Sequence, residues 1–279
     1  MKIEFVKMHG LGNDYILINS LKGNLGRTNI KELPKNICHR NLGIGADGII
    51  LALSGKNHPF QMRIYNSDGT EAEMCGNGIR CFARYLYECG LSRKRKQKIE
   101  TPAGLIQTEI TNPKRNFLVK VNMGKPILVR NVIPVKGSKN FCINENLKVN
   151  GKVFNFTAVS MGNPHAVVFV KEFDNNWQKW GKMIENHSLF PKKTNVEFVK
   201  ITDRKRIELR VWERGAGSTL ACGTGACAAV VAGILNGNLD RKVKVDFPFG
   251  QLLIEWSKKD NCVFMTGPAE KVCEGIYDF

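Results

Sequence analysis

The sequence predicts a mixed α/β protein built from two similar halves. The chain has 279 residues, which is more than one typical domain and fewer than three. Its landmarks recur once, in the same order, at a separation of about 148 residues. In each half, alternating strand-like stretches lead into a helix-like segment that ends at glycine. Together these features predict two domains of similar size, each combining strands with helices.

The first repeated landmark is a Gly-Asn pair. Gly12-Asn13 in the first half corresponds to Gly162-Asn163 in the second, and each pair follows an apolar, strand-like stretch. Each pair also has a histidine nearby, His9 in the first half and His165 in the second.

The second landmark is a strand that runs into a tight turn. Phe60–Tyr65 and Arg206–Trp212 alternate in the period of two that is typical of a half-buried strand. The turns that follow, Asn66–Thr70 and Glu213–Gly217, are rich in residues that suit tight backbone geometry.

The third landmark is a Cys-Gly-x-Gly motif that opens a helix. Cys75–Gly78 and Cys222–Gly225 each begin nine residues after the start of the preceding turn, so the register is identical. The segments after them, Ile79–Cys89 and Ala226–Asn236, are helix-like and are each followed by glycine. Both cysteines are therefore expected at helix N-termini.

The matched cysteines predict a reaction that uses two thiols. A single cysteine is usually a small buried apolar residue, but packing alone does not require a thiol at the same place in both halves. Helix N-termini lower thiol pKa values and bind anions. Two equivalent acid/base groups suit the inversion of a carbon centre, because one removes a proton while the other delivers one to the opposite face. A substrate carboxylate would then be held by backbone N–H groups. The expected N–H donors are those of Gly76, Asn77, Gly223 and Thr224.

Composition excludes several other classes of protein. The longest apolar run, Ala226–Leu235, is shorter than the roughly 18 residues of a membrane helix, and the first residues lack a signal core. We therefore expect a cytoplasmic protein without membrane contact. The nine cysteines are an odd number and include no Cys-x2-Cys pair, which argues against disulfides and zinc. The sequence thus predicts no metal.

The net charge of +17 raises nucleic-acid binding as an alternative. The densest basic run, Arg93–Lys98, has no interleaved aromatic residues that would stack on bases. This pattern favours a solvated loop and no nucleic-acid partner, with a nucleic-acid patch as the remaining alternative.

Taken together, the motifs closely resemble those of the diaminopimelate epimerase family, from the first residues to the last strands. The related proline racemases and isomerases are similar around the first cysteine but lack the Glu-Arg-Gly-Ala-Gly segment. The matching segments are Met8–Asp14, Asn66–Gly69, Met74–Gly78, Ser160–His165, Glu213–Gly217 and Ala221–Gly225.

This resemblance implies an α/β (α+β) fold of two pseudo-symmetric domains. Each domain is a curved, mainly antiparallel sheet around a central helix, with the active site in the cleft between the domains. The implied boundaries are residues 1–122 for the first repeat, 123–267 for the second, and 268–279 for a final strand that returns to the first domain. A homodimer is also implied.

The implied reaction is the pyridoxal-independent interconversion of LL- and meso-2,6-diaminopimelate in lysine biosynthesis, without a cofactor. Cys75 and Cys222 resemble the two catalytic thiols, and His165 and Glu213 resemble residues that tune proton transfer. The alternative within the superfamily is an amino acid racemase or isomerase with another substrate. The implied substrate-binding side chains are those of Asn13, Asn66, Asn163, Asn195, Glu213 and Arg214.

Two positions depart from the family pattern. Gly48 stands where many members have glutamine, so a side-chain contact with the substrate is expected to be missing or made by the backbone. Cys273 stands where the family has an aromatic residue at its dimer contact. The dimer interface is therefore expected to be built differently.

Overall fold

The chain folds as two compact units. The computed structural model describes residues 1–21, 23, 25, 29–113 and 117–279, and within these ranges it contains eighteen strands and four helices. Unit 1 consists of residues 1–121 and 266–279, and unit 2 of residues 122–265.

Unit 1 begins with eight strands and two helices. They are β1 (Lys2–Gly10), β2 (Asn13–Asn19), α1 (Glu32–Ile37), β3 (Gly48–Ser54), β4 (Phe60–Asn66), β5 (Glu71–Ala72), α2 (Gly76–Glu88), β6 (Lys96–Thr101), β7 (Gly104–Asn112) and β8 (Leu118–Asn122). Most neighbours pair antiparallel, but β2 pairs parallel with β3 and β4 pairs parallel with β6. Parallel neighbours need a crossover, and here α1 and α2 supply one each.

Unit 2 repeats this order of pairings. Its elements are β9 (Glu145–Val149), β10 (Lys152–Ser160), β11 (Pro164–Val170), α3 (Trp177–Glu185), β12 (Asn195–Asp203), β13 (Arg206–Glu213), β14 (Gly217–Thr219), α4 (Gly223–Leu235), β15 (Lys242–Phe247), β16 (Gly250–Trp256) and β17 (Val263–Pro268). The antiparallel pair β10–β11 leads to the parallel pair β11–β12, and the antiparallel pair β12–β13 leads to the parallel pair β13–β15. The crossover helices are α3 and α4.

Each unit has a central helix packed on its own sheet. Helix α2 contacts β1, β2, β3, β4 and β7, and α4 contacts β10, β11, β12 and β16. Every residue from Ala226 to Ala232 in α4 is fully buried, as its apolar sequence requires. The predicted fold class, a mainly antiparallel sheet around a helix in each half, is confirmed.

The central helices begin three residues earlier than their sequences indicate, because the two Gly-x-Gly segments form their first turns. Both end where predicted. Gly90 and Gly237 follow the C-caps with φ angles of 70° and 74°, a left-handed conformation that glycine adopts without steric cost.

The last strand, β18 (Glu270–Asp278), pairs antiparallel with β1 in unit 1. The buried guanidinium of Arg80 connects the chain just before it to the start of α2. Its Nε donates to the carbonyl of Pro268 at 3.0 Å, and its Nη1 donates to the carbonyl of Gly76 at 2.9 Å. Gly10 allows this approach, since a Cβ there would lie 2.9 Å from Arg80 Nη2.

Three expectations from the sequence concern the basic run, membrane-spanning helices and metal ions. The basic run Arg93–Lys98 was expected to be a loop, but β6 begins at Lys96 and buries Gln97, so only the first three residues lie outside a strand. Within the described ranges, none of the helices combines the length and the apolar character needed to span a bilayer. The same ranges contain no group of three or more His, Cys, Asp or Glu side chains placed to hold a metal ion.

Candidate active site

Cys75 is the N-cap of α2, as the sequence predicts. Its backbone is extended, with φ −138° and ψ 126°, and the Gly78 N–H donates to its sulfur at 3.5 Å. The Tyr15 hydroxyl donates to the same sulfur at 3.1 Å. Burial raises the pKa of the Tyr15 hydroxyl well above its ordinary value, and the charge of Cys75 raises it further. Tyr15 therefore stays protonated and remains a donor to the sulfur.

Asn13 lies beside Cys75 at the start of β2. Its Oδ1 is 3.6 Å from the Cys75 sulfur and accepts a hydrogen bond from Asn77 Nδ2 at 3.3 Å. Its own Nδ2 donates to Asp47 Oδ2 at 2.7 Å. Both ends of the Asn13 amide are thus held in one orientation.

Asp47 is itself fixed by a network of charged groups. Arg40 Nη2 donates to Asp14 Oδ1 at 3.0 Å and to Asp47 Oδ1 at 2.8 Å, and Lys7 lies 3.1 Å from Asp14 Oδ2. Burial acts to raise the pKa of Asp14, but hydrogen bonds from Arg40 and Lys7 outweigh it and lower that pKa. The Asp14 carboxylate stays ionised, and this network holds the loop that carries Asp47 against β2.

Cys222 occupies the equivalent N-cap position on α4, with φ −123° and ψ 115°. It is only 6% exposed, and its sulfur lies 3.4 Å from Thr224 Oγ1. Burial raises the pKa of the Cys222 thiol well above its ordinary value, and the carboxylates of Glu213 and Glu197 raise it further. The expectation that a helix N-terminus lowers the thiol pKa is therefore wrong for Cys222, because burial outweighs it. At neutral pH Cys222 is a thiol.

His165 lies on β11 and connects two polar side chains. Its Nδ1 is 2.7 Å from Glu197 Oε1, and its Nε2 is 2.9 Å from Asn163 Oδ1. Asn163 Nδ2 in turn donates to Thr224 Oγ1 at 3.4 Å. His165 and Glu197 are both completely buried. A continuous set of contacts therefore runs from Glu197 to the Cys222 sulfur.

Next to this site, Asn195 begins β12 and Glu213 ends β13. Asn195 Nδ2 donates to the Pro164 carbonyl at 2.8 Å, and its Oδ1 accepts from the Arg214 backbone N–H at 2.9 Å. Glu213 Oε1 accepts a hydrogen bond from the Thr219 hydroxyl at 2.5 Å. Asn195 therefore fixes the backbone that places Glu213 and Arg214.

Comparison with known proteins identifies the family. The family model described as diaminopimelate epimerase matches residues 5–129 and 157–272. The chain belongs to the diaminopimelate epimerase family. The diaminopimelate epimerase of Moorella thermoacetica is 50% identical over 277 residues, covering 99% of both chains. That of Carboxydothermus hydrogenoformans is 51% identical over 277 residues, again covering 99% of both.

More distant solved structures share the fold of the family. A hydroxyproline epimerase from Agrobacterium vitis superposes with a TM-score of 0.70 at 13% identity, covering 99% of this chain and 92% of the other. A PhzF-family phenazine biosynthesis protein from Bacillus anthracis gives 0.68 at 17% identity, with full coverage of both chains. At these identities the likeness concerns the fold alone.

Most of the residues that the sequence predicts for the site lie around the two helix starts. The exposed side chains of Asn66 and Arg214 instead contact neighbouring residues away from the helix starts. Asn66 Nδ2 donates to Thr70 Oγ1 at 3.0 Å, and Arg214 Nη1 donates to the Lys192 carbonyl at 3.2 Å. In unit 1 the start of α2 gathers Asn13, Cys75, Gly76 and Asn77, and in unit 2 the region around α4 gathers Asn163, His165, Glu213, Cys222, Gly223 and Thr224.

Tyr15 is the structural equivalent of His165, and the sequence motifs did not predict it. Tyr15 pairs with Gly48 on the parallel strand β3, and His165 pairs with Asn195 on the parallel strand β12. His9 lies on β1 and is not equivalent to His165. Both Tyr15 and His165 stand two residues after the asparagine of the repeated Gly-Asn pair, a spacing that could have identified Tyr15.

Glu197 was also missed. Its equivalent in unit 1 is Ile50, since each lies beside the second glycine of its Cys-Gly-x-Gly motif. A Cβ on Gly78 would lie 3.1 Å from Ile50 Cδ1, and one on Gly225 would lie 2.8 Å from Glu197 Oε1. The available signal was an acidic residue within the otherwise apolar start of β12.

The structure accounts for glycine at position 48. A Cβ on Gly48 would meet the Tyr65 carbonyl and would lie 3.3 Å from the Asn66 Cα. The start of β3 therefore approaches β4 too closely for a side chain, so any contribution of this position to binding comes from its backbone.

Replacing Tyr15 with phenylalanine should make Cys75 less reactive at neutral pH. The change removes the hydroxyl that donates to the sulfur, and a hydrogen bond to a charged group contributes enough free energy for about a tenfold slower alkylation. The rate of Cys75 alkylation by iodoacetamide, followed by peptide mass spectrometry, measures this.

Tyr65→Phe is the matched control for Tyr15→Phe. The buried Tyr65 hydroxyl has no hydrogen-bond partner among the described residues, so its loss should leave Cys75 alkylation unchanged. Equal effects of the two substitutions would contradict the assigned role of Tyr15.

Proposed function

We propose that this chain is a diaminopimelate epimerase that interconverts LL- and meso-2,6-diaminopimelate with two cysteine acid/base groups. The observation that carries the proposal is that Cys75 and Cys222 cap the central helices of two units with the same order of strand pairings. Family membership supports the choice of substrate. The reaction belongs to lysine biosynthesis.

The two thiols account for both proton transfers of the reaction. In one direction the Cys75 thiolate removes the α-proton, and the Cys222 thiol delivers its proton to the opposite face of the same carbon. The inverted product leaves Cys75 as a thiol and Cys222 as a thiolate, so the reverse reaction exchanges the roles. The raised pKa of buried Cys222 supports its assignment as the resting acid.

The helix N-termini are proposed to bind the carboxylate of the reacting centre. The N-terminus of a helix carries partial positive charge, which attracts a carboxylate and stabilises the negative charge that develops when the α-proton leaves. The cysteines and the carboxylate-binding groups would thus belong to the same helix turns. The proposed backbone N–H donors are those of Gly76, Asn77, Gly223 and Thr224.

The second amino acid centre of the substrate must be bound without reacting. Arg214 is exposed and offers a guanidinium for the distal carboxylate. Amide oxygens are proposed to bind the distal ammonium group, and the Glu213 carboxylate to bind the ammonium group of the reacting centre. Asn195 holds the backbone of Arg214, which supports a role in specificity. Asn13, Asn66 and Asn163 are proposed to complete the substrate contacts, and His165 to tune proton transfer at Cys222.

A homodimer and a cytoplasmic location complete the proposal. The last strand, β18, exposes Val272 and Ile276, which are 54% and 63% exposed, together with Cys273. These neighbouring side chains support an interface along this strand, where the resemblance places the family's dimer contact. A small biosynthetic substrate is consistent with the cytoplasm.

The function is tested by following LL-diaminopimelate in deuterated water by NMR. Deuterium should enter one α-position as the meso isomer appears. Cys75→Ser and Cys222→Ser should each slow this conversion by at least about a hundredfold, because each removes an acid/base group.

Cys262→Ser is the control for the serine variants, since Cys262 lies outside both helix starts. Exchange on proline or hydroxyproline, but not on diaminopimelate, would support the other racemases of the superfamily. No exchange on any amino acid would refute the proposal.

Glu213→Gln should increase Cys222 alkylation at neutral pH. A nearby carboxylate raises the pKa of the Cys222 thiol, so neutralising that carboxylate lowers the pKa. At a pH below the pKa the thiolate fraction then increases, and we expect about threefold to tenfold faster alkylation. Glu208→Gln, a change at a partly buried carboxylate on the same strand that pairs with Lys200, should have no effect. A slower reaction of Cys222 in Glu213→Gln would contradict this assignment.

Light scattering should give a mass close to twice the 31.3 kDa chain. Ile276→Lys should shift it towards the monomer, because a buried unpaired charge disfavours the interface. Val153→Lys, a change at a similarly exposed valine in unit 2, should leave the mass unchanged. A monomeric unsubstituted protein would refute the dimer.

A further inference from the structure

Glu197 is a buried carboxylate to which the proposed reaction assigns no role. Its side chain is completely buried, and among the described residues its Oε2 has no hydrogen-bond partner. The equivalent position in unit 1 holds the apolar Ile50, so packing at this place does not need an acid. Burying a carboxylate costs free energy unless the carboxylate is paired. In Glu197 the pairing is made by Oε1, which contacts His165.

Donor and acceptor chemistry fixes the direction of the contacts beyond His165. The Oδ1 of Asn163 can only accept, so the Nε2 of His165 must carry a proton and donate to it. One more proton lies between His165 Nδ1 and Glu197 Oε1. With that proton on either atom, the pair as a whole is neutral, and Nε2 remains a donor.

The direction continues to the sulfur. With its Oδ1 bound to His165, Asn163 presents its Nδ2 to Thr224 Oγ1, which accepts. A hydroxyl has a single proton, and the proton of Thr224 is then available to the Cys222 sulfur 3.4 Å away. Each member of the series therefore determines the orientation of the next.

We propose that Glu197 is a positioning residue that, through His165 and Asn163, orients the Thr224 hydroxyl as a hydrogen-bond donor to the Cys222 thiolate. This inference rests on the proposed role of Cys222 as a reacting thiol. We call the series Glu197, His165, Asn163, Thr224 and Cys222 the Glu197 relay.

The Glu197 relay offsets an unfavourable environment. When Cys222 gives up its proton, the resulting thiolate is buried and faces the carboxylates of Glu213 and Glu197. Hydrogen-bond donors counter these effects, and the Gly225 backbone N–H and the Thr224 hydroxyl both act in that sense. A hydroxyl held as a donor stabilises the thiolate and makes Cys222 a stronger acid.

The first test measures the pH dependence of Cys222 alkylation by iodoacetamide, with Cys75 in the same sample as an internal control. Thr224→Val keeps the shape of the side chain but removes the donor. It should move the Cys222 profile to higher pH by about one unit, which is a tenfold slower reaction at neutral pH. Thr224→Ser keeps the hydroxyl and should retain the original profile. An unchanged profile in Thr224→Val would overturn the proposal.

The second test asks whether Glu197 acts through the Thr224 hydroxyl, using a double-mutant cycle. Glu197→Met removes the polar group and should change the pH profile of Cys222 alkylation. The part of this change that is transmitted through the relay should disappear in a protein that already carries Thr224→Val. Any direct charge effect on Cys222 persists in both backgrounds. Glu197→Gln should retain the relay, because its amide can donate to His165 Nδ1, so its effect on the profile should be the same with threonine or valine at position 224. Equal effects of Glu197→Met in the two backgrounds would overturn the relay.

A third measurement does not depend on whether Glu197→Met folds. Long-range ¹H–¹⁵N NMR of the unsubstituted protein, with His165 assigned from His165→Gln, should show a proton on Nε2 across neutral pH. An unprotonated Nε2 would reverse the direction of the relay and refute it. None of these readouts needs diaminopimelate turnover, so failure of the proposed function and failure of the relay are distinguishable.

Discussion

The placement of a sulfur at the first turn of a buried helix is the constraint on which the rest of the structure depends. In each unit the helix must begin immediately after a tight turn and must approach the sheet closely. Gly78 and Gly225 allow this, because a Cβ at either position would press on the strand beneath it. The parallel pairs β4–β6 and β13–β15 require the crossover that these helices form.

The two units surround their cysteines differently. Cys75 has a donor in direct contact, the Tyr15 hydroxyl, whereas Cys222 is contacted by Thr224 at the end of a longer series of polar side chains. The proposed two-base inversion needs one thiol and one thiolate at the start of each turnover, and different environments suit that division of roles. The difference between Tyr15 and His165, at equivalent positions, gives the duplicated architecture this asymmetry.

The sequence predicted those features that depend on local pattern. Period-two strands, the glycine stops and the capping cysteines were all found where expected, since each depends on a few adjacent residues. Tyr15 and Glu197 were missed because their roles arise from the register of parallel strands joined through long crossovers. The raised pKa of the Cys222 thiol was missed for a similar reason, since burial of a helix start depends on tertiary packing.

The return of β18 to β1 affects how the protein folds as it is synthesised. Unit 2 is contiguous, so all of its residues are synthesised before residues 266–279. Unit 1 must wait for those residues, with one edge of β1 unpaired and Arg80 without the Pro268 carbonyl. Domains usually complete folding from the N-terminus during translation. Here the chain of unit 2 is complete before that of unit 1, so the unit whose synthesis begins first is the last to have all of its residues.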